Sequence, residues 1–406
     1  MNVIADILNN TAAYTQWRKQ IHSYPEIAFQ EDETAEFVAQ KLASFGIDVT
    51  REIGGTGLVG TLTHGDAGRS VGLRADMDAL PMKEMNDFAH RSKRDGCMHA
   101  CGHDGHTVML LAAAEYLAKS RQFNGTVQFI FQPAEETGSG AQAMIKDGLF
   151  ERFNMDAVFS MHNAPSFHTG TMATSPGGLM ASMEVFEVSI LGHGTHGAFP
   201  HTGNDPLVIA SHMHSAWQSI VSRNINPQHS AVVSVTSMAT EDSWNIIPDQ
   251  AVIKGCVRYL SPEDGAIIKK RFVEIAEGIA ATFGARVEIE YRTLVPLTYN
   301  SLTETELVCD VAADIVGESN VLRNADPVMG SEDFAYMLAE KPGCYFWLGA
   351  TDRKNALVPG DKQQIHRDHF MPSNFCMLHE SEYDFNDQIT PIGASIFSRI
   401  VEKFLA

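Results

Sequence analysis

Met183-Glu-Val-Phe-Glu-Val-Ser-Ile-Leu191 is where the chain changes period. Its residues alternate, which predicts a half-buried β-strand. Downstream, the spacing predicts a helix over Asp205 to Arg223 and strands over Ala231 to Met238 and Gln250 to Leu260. A second helix is expected over Pro262 to Phe283, with Pro262 well placed near its N-terminus, then a strand over Arg286 to Tyr291. The order β-α-β-β-α-β is that of a split βαβ, ferredoxin-like domain. Upstream, Ile4 to Phe45 reads as two helices broken near Ser23-Tyr24-Pro25, since the residue before a proline disfavours helix. Short β-rich runs follow at Leu58 to Leu62 and Val71 to Ala75, and a helix after Asp104. Thr126 to Phe131 and Ala157 to Met161 are apolar runs of the kind buried on both faces of a parallel sheet. After about Val295 the pattern resumes, with a strand near Cys344 to Leu348 and a last helix over Pro391 to Phe404. The fold class is therefore α/β. An α+β domain over 183–294 is inserted into a larger domain made of 1–182 and 295–406.

The chain has 406 residues, 30 Lys plus Arg against 50 Asp plus Glu, and a formal net charge of -20. An acidic surface repels phosphate, which argues against a nucleic-acid or anionic-membrane partner. No apolar run approaches the ~20 residues that span a bilayer, and the opening MNVIADILNN lacks a basic n-region. Six cysteines are too sparse for a disulfide scaffold; Cys256, Cys309, Cys344 and Cys376 read as reduced thiols. A cytoplasmic location is the expectation.

Met98-His-Ala-Cys-Gly-His-Asp-Gly-His106 is the densest chemical segment. Cys101 and His103 flank one glycine, and Gly102 permits a tight turn that aims both side chains at one point. Thiolate with imidazole suits a transition metal such as zinc. Glu135 and Glu136, in Phe131-Gln-Pro-Ala-Glu-Glu-Thr137, are adjacent carboxylates beyond an apolar strand. Asp76-Met-Asp78 and His162 each follow another such strand. Three strands thus deliver Asp, Glu or His at their C-terminal ends, the edge where open α/β sheets bind ligands.

The segments MDALPM, CMHACGHDGHT, FQPAEETGSGA, MHNAPS, GHGTHGAFPHTGNDP, NIIPDQAVIKGCVR, GSEDF and YDFND, in order along the chain, resemble the aminoacylase and hippurate hydrolase family of metallopeptidases and amidohydrolases. Cysteine at the bridging place resembles its hippurate hydrolase branch, which includes N-acyl-amino-acid amidohydrolases and auxin-conjugate hydrolases. The resemblance implies a mixed-sheet catalytic domain with an inserted lid and dimerisation domain, two divalent ions (Zn or Mn, with Co or Ni as alternatives), and a homodimer. Cys101, His103, Glu136, His162 and His379 would be ligands, with the Cys101 sulfur between the ions. Glu135 would be the general base and Asp78 the residue orienting a ligand. His379 matches the spacing before Tyr383; His366 and His369, in the long stretch Asp361 to Met377, are the other candidates.

Such a pair of ions lowers the pKa of a bound water and polarises a scissile carbonyl, while Glu135 moves the proton. No GxSxG elbow supplies a serine nucleophile. The resemblance points to His196 as a substrate or oxyanion contact, though a loop-stabilising histidine fits the same segment. Asn245 and Arg258 lie in NIIP and GCVR. Arg258 suits a substrate carboxylate, since guanidinium pairs bidentately with it; an ordinary strand arginine is the other reading. Glu332 or Asp333 would support the site from behind. A lid implies closure, with hinges near Ala181-Ser182 and Leu294-Val295. Trp244, Phe167, Met172 and Met180 would line an acyl pocket or belong to the core, and the segment Thr240 to Trp244 would tune that pocket. The expected substrate is a small N-acyl, N-aroyl or indole-acyl amino acid. A dipeptidase or carboxypeptidase of the same fold is the alternative, and a metal-sensing module needs no base such as Glu135.

Overall fold

The computed structural model describes residues 1–241, 243–351 and 376–406. The chain forms two compact units. The larger comprises Met1–Leu179, Tyr299–Asp326 and Glu332–Ala406; the smaller comprises Met180–Thr298 and Pro327–Ser331. In chain order the strands begin with β1 (Asp48–Arg51), β2 (Leu58–His64), β3 (Ser70–Asp76), β4 (Gly125–Gln132), β5 (Ala157–His168) and β6 (Met172–Ala173). Then come β7 (Gly177–Met180), β8 (Ser182–Leu191), β9 (Thr195–His196), β10 (Ala231–Ala239), β11 (Ile246–Ile247), β12 (Gln250–Tyr259) and β13 (Arg286–Val295). The last are β14 (Thr298–Asn300), β15 (Val321–Leu322) and β16 (Gly343–Thr351).

The larger unit is built on an eight-stranded sheet, β1-β2-β4-β3-β5-β16-β6-β15. It is mixed: β3 runs parallel to β4 and β5, but β2 pairs antiparallel with β4. Burial on both faces, and not parallel pairing, is what makes the β4 run apolar. The helix His103–Ser120 is buried nearly all round because it packs against the helices Thr11–Ser23 and Thr390–Phe404 as well as the sheet. Three helices occupy the first 44 residues, where two were expected, since Asn10 separates Ala5–Asn9 from Thr11–Ser23. The break before Pro25 is present. The helix Leu302–Val316 and the short β1 were not anticipated.

Sheet register positions the site. Asp76 lies opposite Gln132, and Arg74 opposite Ser160, so His162, two residues past Ser160, is level with Asp76. The expectation that His162 follows the end of its strand is corrected. β5 continues to His168 because β16 keeps pairing with it, Trp347 opposite His162. The histidine therefore projects from a strand that runs past the end of its neighbour.

The smaller unit has a four-stranded antiparallel sheet, β10-β12-β8-β13, with the helices Pro206–Arg223 and Pro262–Thr282 packed on it. Both helices start with proline behind a capping side chain, Asp205 or Ser261, which satisfies otherwise orphaned N–H groups. Pro327–Ser331 joins this unit because Ala181 N–H donates to Val328 and Gly330 carbonyls and Arg258 grips Met329 and Ser331. Among the described residues no helix is long and apolar enough to cross a membrane. Cys97, Cys101, Cys256, Cys309 and Cys344 are free thiols, with Cys101, Cys309 and Cys344 buried.

Candidate metal centre

The loop before the helix His103–Ser120 makes its turn at Gly102, with φ +98. A side chain there is excluded twice: the left-handed backbone disfavours it, and a Cβ would sit 2.4 Å from Asn163 Oδ1. The turn brings Cys101 Sγ to 3.4 Å from His162 Nε2. His103 Nδ1 lies 2.9 Å from the Asp78 carbonyl oxygen and 3.1 Å from Asp78 Oδ1, which puts the ring proton on Nδ1 and leaves the Nε2 lone pair for another partner. The other Asp78 oxygen, Oδ2, accepts from Glu136 N–H at 3.0 Å. One carboxylate thus orients two of the expected ligands, the arrangement by which outer residues tune metal sites. His162 is held through Nδ1, 2.8 Å from the Asn163 carbonyl.

His379 arrives with φ +65, a costly conformation for a non-glycine residue. Its N–H donates to Ala100 O at 2.8 Å, and Nε2 stands 3.3 Å from Glu136 Oε1. The ligand atoms of Cys101, His103 and His162 lie within 4.8 Å of one another, as do those of Cys101, Glu136 and His379. The two groups share Cys101. His103 Nε2 and Glu136 Oε1 are buried without a hydrogen-bond partner, which costs free energy unless something else satisfies them. The donor set of sulfur, imidazole and carboxylate, with these two orphaned atoms, fits divalent transition-metal ions. His366 and His369 lie outside the described residues.

Behind this set lies a buried charged layer. Arg74, fully buried, donates to Asp76 at 2.8 Å, Glu332 at 3.0 Å and Asp333 at 3.1 Å. Asp333 also accepts from Gln132 Nε2 at 2.7 Å and Ala141 N–H at 2.9 Å. Asp76 bonds His106 Nδ1 at 2.7 Å, His106 Nε2 lies 2.6 Å from Asn163 Oδ1, and Asn163 Nδ2 donates to Tyr383 OH at 2.6 Å. Sequence reasoning missed Arg74 and, while counting His106 in the cluster, gave it no role. The available signal for Arg74 was an arginine inside a run otherwise fit for double-sided burial.

Electrostatics separates the two adjacent glutamates. Burial, with the charges of Glu332 and Asp333, raises the Glu135 carboxyl well above the usual range. Burial opposes ionisation of Glu136 too, but His379 and His103 outweigh it and lower its pKa. Burial also drives Asp333 up to about 8 against the pull of Arg74. Paired groups pushed in opposite directions mark acid–base assignments. His99 is buried with both ring nitrogens unpartnered, and burial pushes it down to about 3.

The smaller unit carries the other predicted residues. His196 and Asn245 lie on adjoining segments: His196 pairs with Ile246, and Gly197 N–H donates to the Asn245 carbonyl at 2.7 Å. His196 Nδ1 accepts from Ala198 N–H at 3.0 Å, which places the ring proton on Nε2. Arg258 Nη1 is engaged with Met329 O at 2.7 Å and Ser331 Oγ at 2.9 Å. It is thus neither an unattached strand arginine nor an uncommitted fork. Phe167 and Met172 are buried, whereas Trp244 is fully exposed. Asp242, within the Thr240 to Trp244 segment, lies outside the described residues.

Residues 72–373 match the family model described as peptidase family M20/M25/M40. The chain is 40% identical over 405 residues to the hippurate hydrolase of Campylobacter jejuni, covering 100% of both chains. It is 32% identical over 414 residues to thermostable carboxypeptidase 1 of Saccharolobus solfataricus, covering 100% of this chain and 99% of that one. The YXEP protein of Bacillus subtilis, described as a dinuclear metal binding peptidase from the M20 family, superposes with a TM-score of 0.82 at 29% identity. That match covers 98% of this chain and 99% of the other. With the ligand geometry and these full-length matches in agreement, the chain belongs to peptidase family M20/M25/M40.

Proposed function

We propose that the protein is a metal-dependent amidohydrolase that splits N-acyl or N-aroyl amino acids into a carboxylic acid and a free amino acid. Cys101, His103, Glu136, His162 and His379 would hold two divalent ions, and Zn or Mn suits that donor set. Bound ions supply Lewis acidity toward the carbonyl and a lowered pKa for the attacking water. Glu135 takes the water proton on its carboxylate and returns it to the leaving amine nitrogen. Asp78 keeps His103 and Glu136 in place. His196, with its proton on Nε2, is a donor for the developing oxyanion, and Asn245 and Arg258 contact the substrate.

The observation that carries this reading is geometric: two candidate ligand groups, Cys101–His103–His162 and Cys101–Glu136–His379, share Cys101, and Glu135 lies beside His103 and Glu136. The test is Glu135→Gln, loaded with Zn or Mn, on hippurate, N-acetyl amino acids and dipeptides. Hydrolysis of N-acyl amino acids is expected to fall by about 10³-fold or more with metal content unchanged; undiminished turnover would end the assignment of Glu135. The similarity to a carboxypeptidase favours dipeptide cleavage as the second reading, and a wild-type preference for dipeptides in the same panel would select it.

We also place the protein in the cytoplasm, in keeping with the free thiols of Cys97, Cys101, Cys256, Cys309 and Cys344, and expect a homodimer through the smaller unit. The edge strand β10 bears no charged side chain, whereas the opposite edge β13 carries Arg286, Glu288, Glu290 and Arg292. Charged edges resist strand addition and uncharged ones invite it. Sedimentation of Thr236→Lys beside wild type checks this, with a shift to monomer expected.

A further inference from the structure

The turn that carries Glu135 and Glu136 is strained. After β4 ends at Gln132 and Pro133 follows, Ala134 adopts φ +53, a left-handed conformation in which its Cβ is crowded. Glycine is the usual residue there, so the conformation has to be held by its surroundings. Ala134 N–H donates to Glu31 Oε1 at 2.9 Å. The other Glu31 oxygen, Oε2, accepts from Thr56 Oγ1. Glu31 is 0% exposed and precedes the helix Asp32–Ser44, yet makes no side-chain cap bond to it. A carboxylate buried at such cost is therefore directed away from its own helix and at the turn.

Two further carboxylates fix the same loop. Asp78 accepts from Glu136 N–H, and Asp333 from Ala141 N–H. Glu31 differs from both: Asp78 also bonds the His103 ring and Asp333 also accepts from Arg74, whereas the Glu31 carboxylate bonds only Ala134 N–H and Thr56 Oγ1 among the described residues. Its reach to the site runs through the Ala134 backbone.

We propose that Glu31 is a positioning residue for hydrolysis, holding Ala134 in the left-handed turn so that Glu135 and Glu136 point into the metal centre. The inference rests on the roles proposed above for those two glutamates. Misplacing a reacting group by about 1 Å costs up to ~10²-fold in rate, and disturbing the support of a ligand weakens metal binding ~10–100-fold.

The full-length, metal-loaded protein is compared as wild type, Glu31→Gln, Glu31→Asp, Glu31→Ala and the double variant Glu31→Asp/Ala134→Gly. The readouts are kcat and KM on hippurate or the best panel substrate, metal dissociation by chelator competition, and thermal unfolding. Gln keeps an oxygen for Ala134 N–H and is expected within about threefold of wild type. Asp withdraws the carboxylate by one methylene; kcat is expected to fall about tenfold with KM little changed, and metal affinity about tenfold. Ala134→Gly, which removes the crowded Cβ, is expected to restore much of both losses to Glu31→Asp. Wild-type kcat and metal affinity in Glu31→Asp would overturn the proposal, as would losses that Ala134→Gly leaves untouched. Should Glu31→Ala not fold, Glu31→Asp and Glu31→Gln carry the test. Failure of the Glu135 assignment shows separately, as turnover retained by Glu135→Gln, while chelator competition still reports on Glu136.

Discussion

The two units handle burial in opposite ways. In the smaller one, β8 alternates buried and half-buried residues over its whole length. The core beneath it is apolar: Phe186, Val188, Ile190, Trp217, Ile253, Ile268 and Phe272. Of its buried carboxylates, Glu184 is satisfied by Tyr259 and Tyr291 hydroxyls at 3.1 and 2.6 Å, and Asp264 lies 2.8 Å from His229 Nδ1. In the larger unit, all seven residues of β3 are buried, Arg74 and Asp76 among them. The smaller unit's sheet satisfies the one carboxylate it buries with neutral hydroxyls. A sheet whose end supports a reaction accepts the desolvation cost of charges and must offset it with mutual pairing.

That contrast can be broken at Arg74. Arg74→Met would leave Asp76, Glu332 and Asp333 buried without their cation, and destabilisation of roughly 3–5 kcal/mol is expected, together with loss of hydrolysis; urea unfolding measures the first. A stability change near zero would mean that the buried layer does not depend on its one arginine. Ile268→Ala, in the smaller unit's core, is expected to cost roughly 2–5 kcal/mol by transfer and cavity terms. Chelator competition should find metal affinity unchanged in that variant, because nothing in its core carries a ligand.

The pH dependence sharpens the comparison further. Burial alone would depress the His22 imidazole, but Asp104 at 2.8 Å and Glu84 at 3.2 Å outweigh it and push it up to about 9. A raised histidine pKa contributes stability that is fully present below about 6.5 and lost as pH rises through 9. The contribution is up to roughly 3 kcal/mol. Urea unfolding of wild type and His22→Gln from pH 6 to pH 9.5 should show the gap between them closing; a constant gap would contradict the charged pair. The smallest effect is expected from Asp78→Asn. It keeps a hydrogen-bonding side chain but loses charge, and metal affinity should drop ~10–100-fold with little change in the unfolding midpoint.

Much of this was legible along the chain. Strict alternation at Met183 to Leu191 marks a one-sided strand, and capped, proline-led helices announce their own starts at Pro206 and Pro262. Crowding of His99, Cys101, His103 and His106 signals metal chemistry wherever the segment folds. Other features leave no local trace. His162 sits mid-strand because β16 supplies a partner beyond Ser160. The Thr11–Ser23 helix donates Arg18 and His22 to Asp104, a pairing of residues more than eighty positions apart.

Residue types and their spacing by themselves determined the α/β class, the inserted βαββαβ unit, the Cys101–Gly102–His103 turn and the adjacent carboxylates of Glu135 and Glu136. These depend on backbone geometry within a few residues or on short periods. Only the tertiary structure decided that Asp78 bonds both His103 and Glu136, that Arg258 is engaged by its own unit, and that Glu31 accepts from Ala134 N–H. Each depends on the field and hydrogen bonds of groups brought together by folding, and desolvation gives those groups their leverage only after burial.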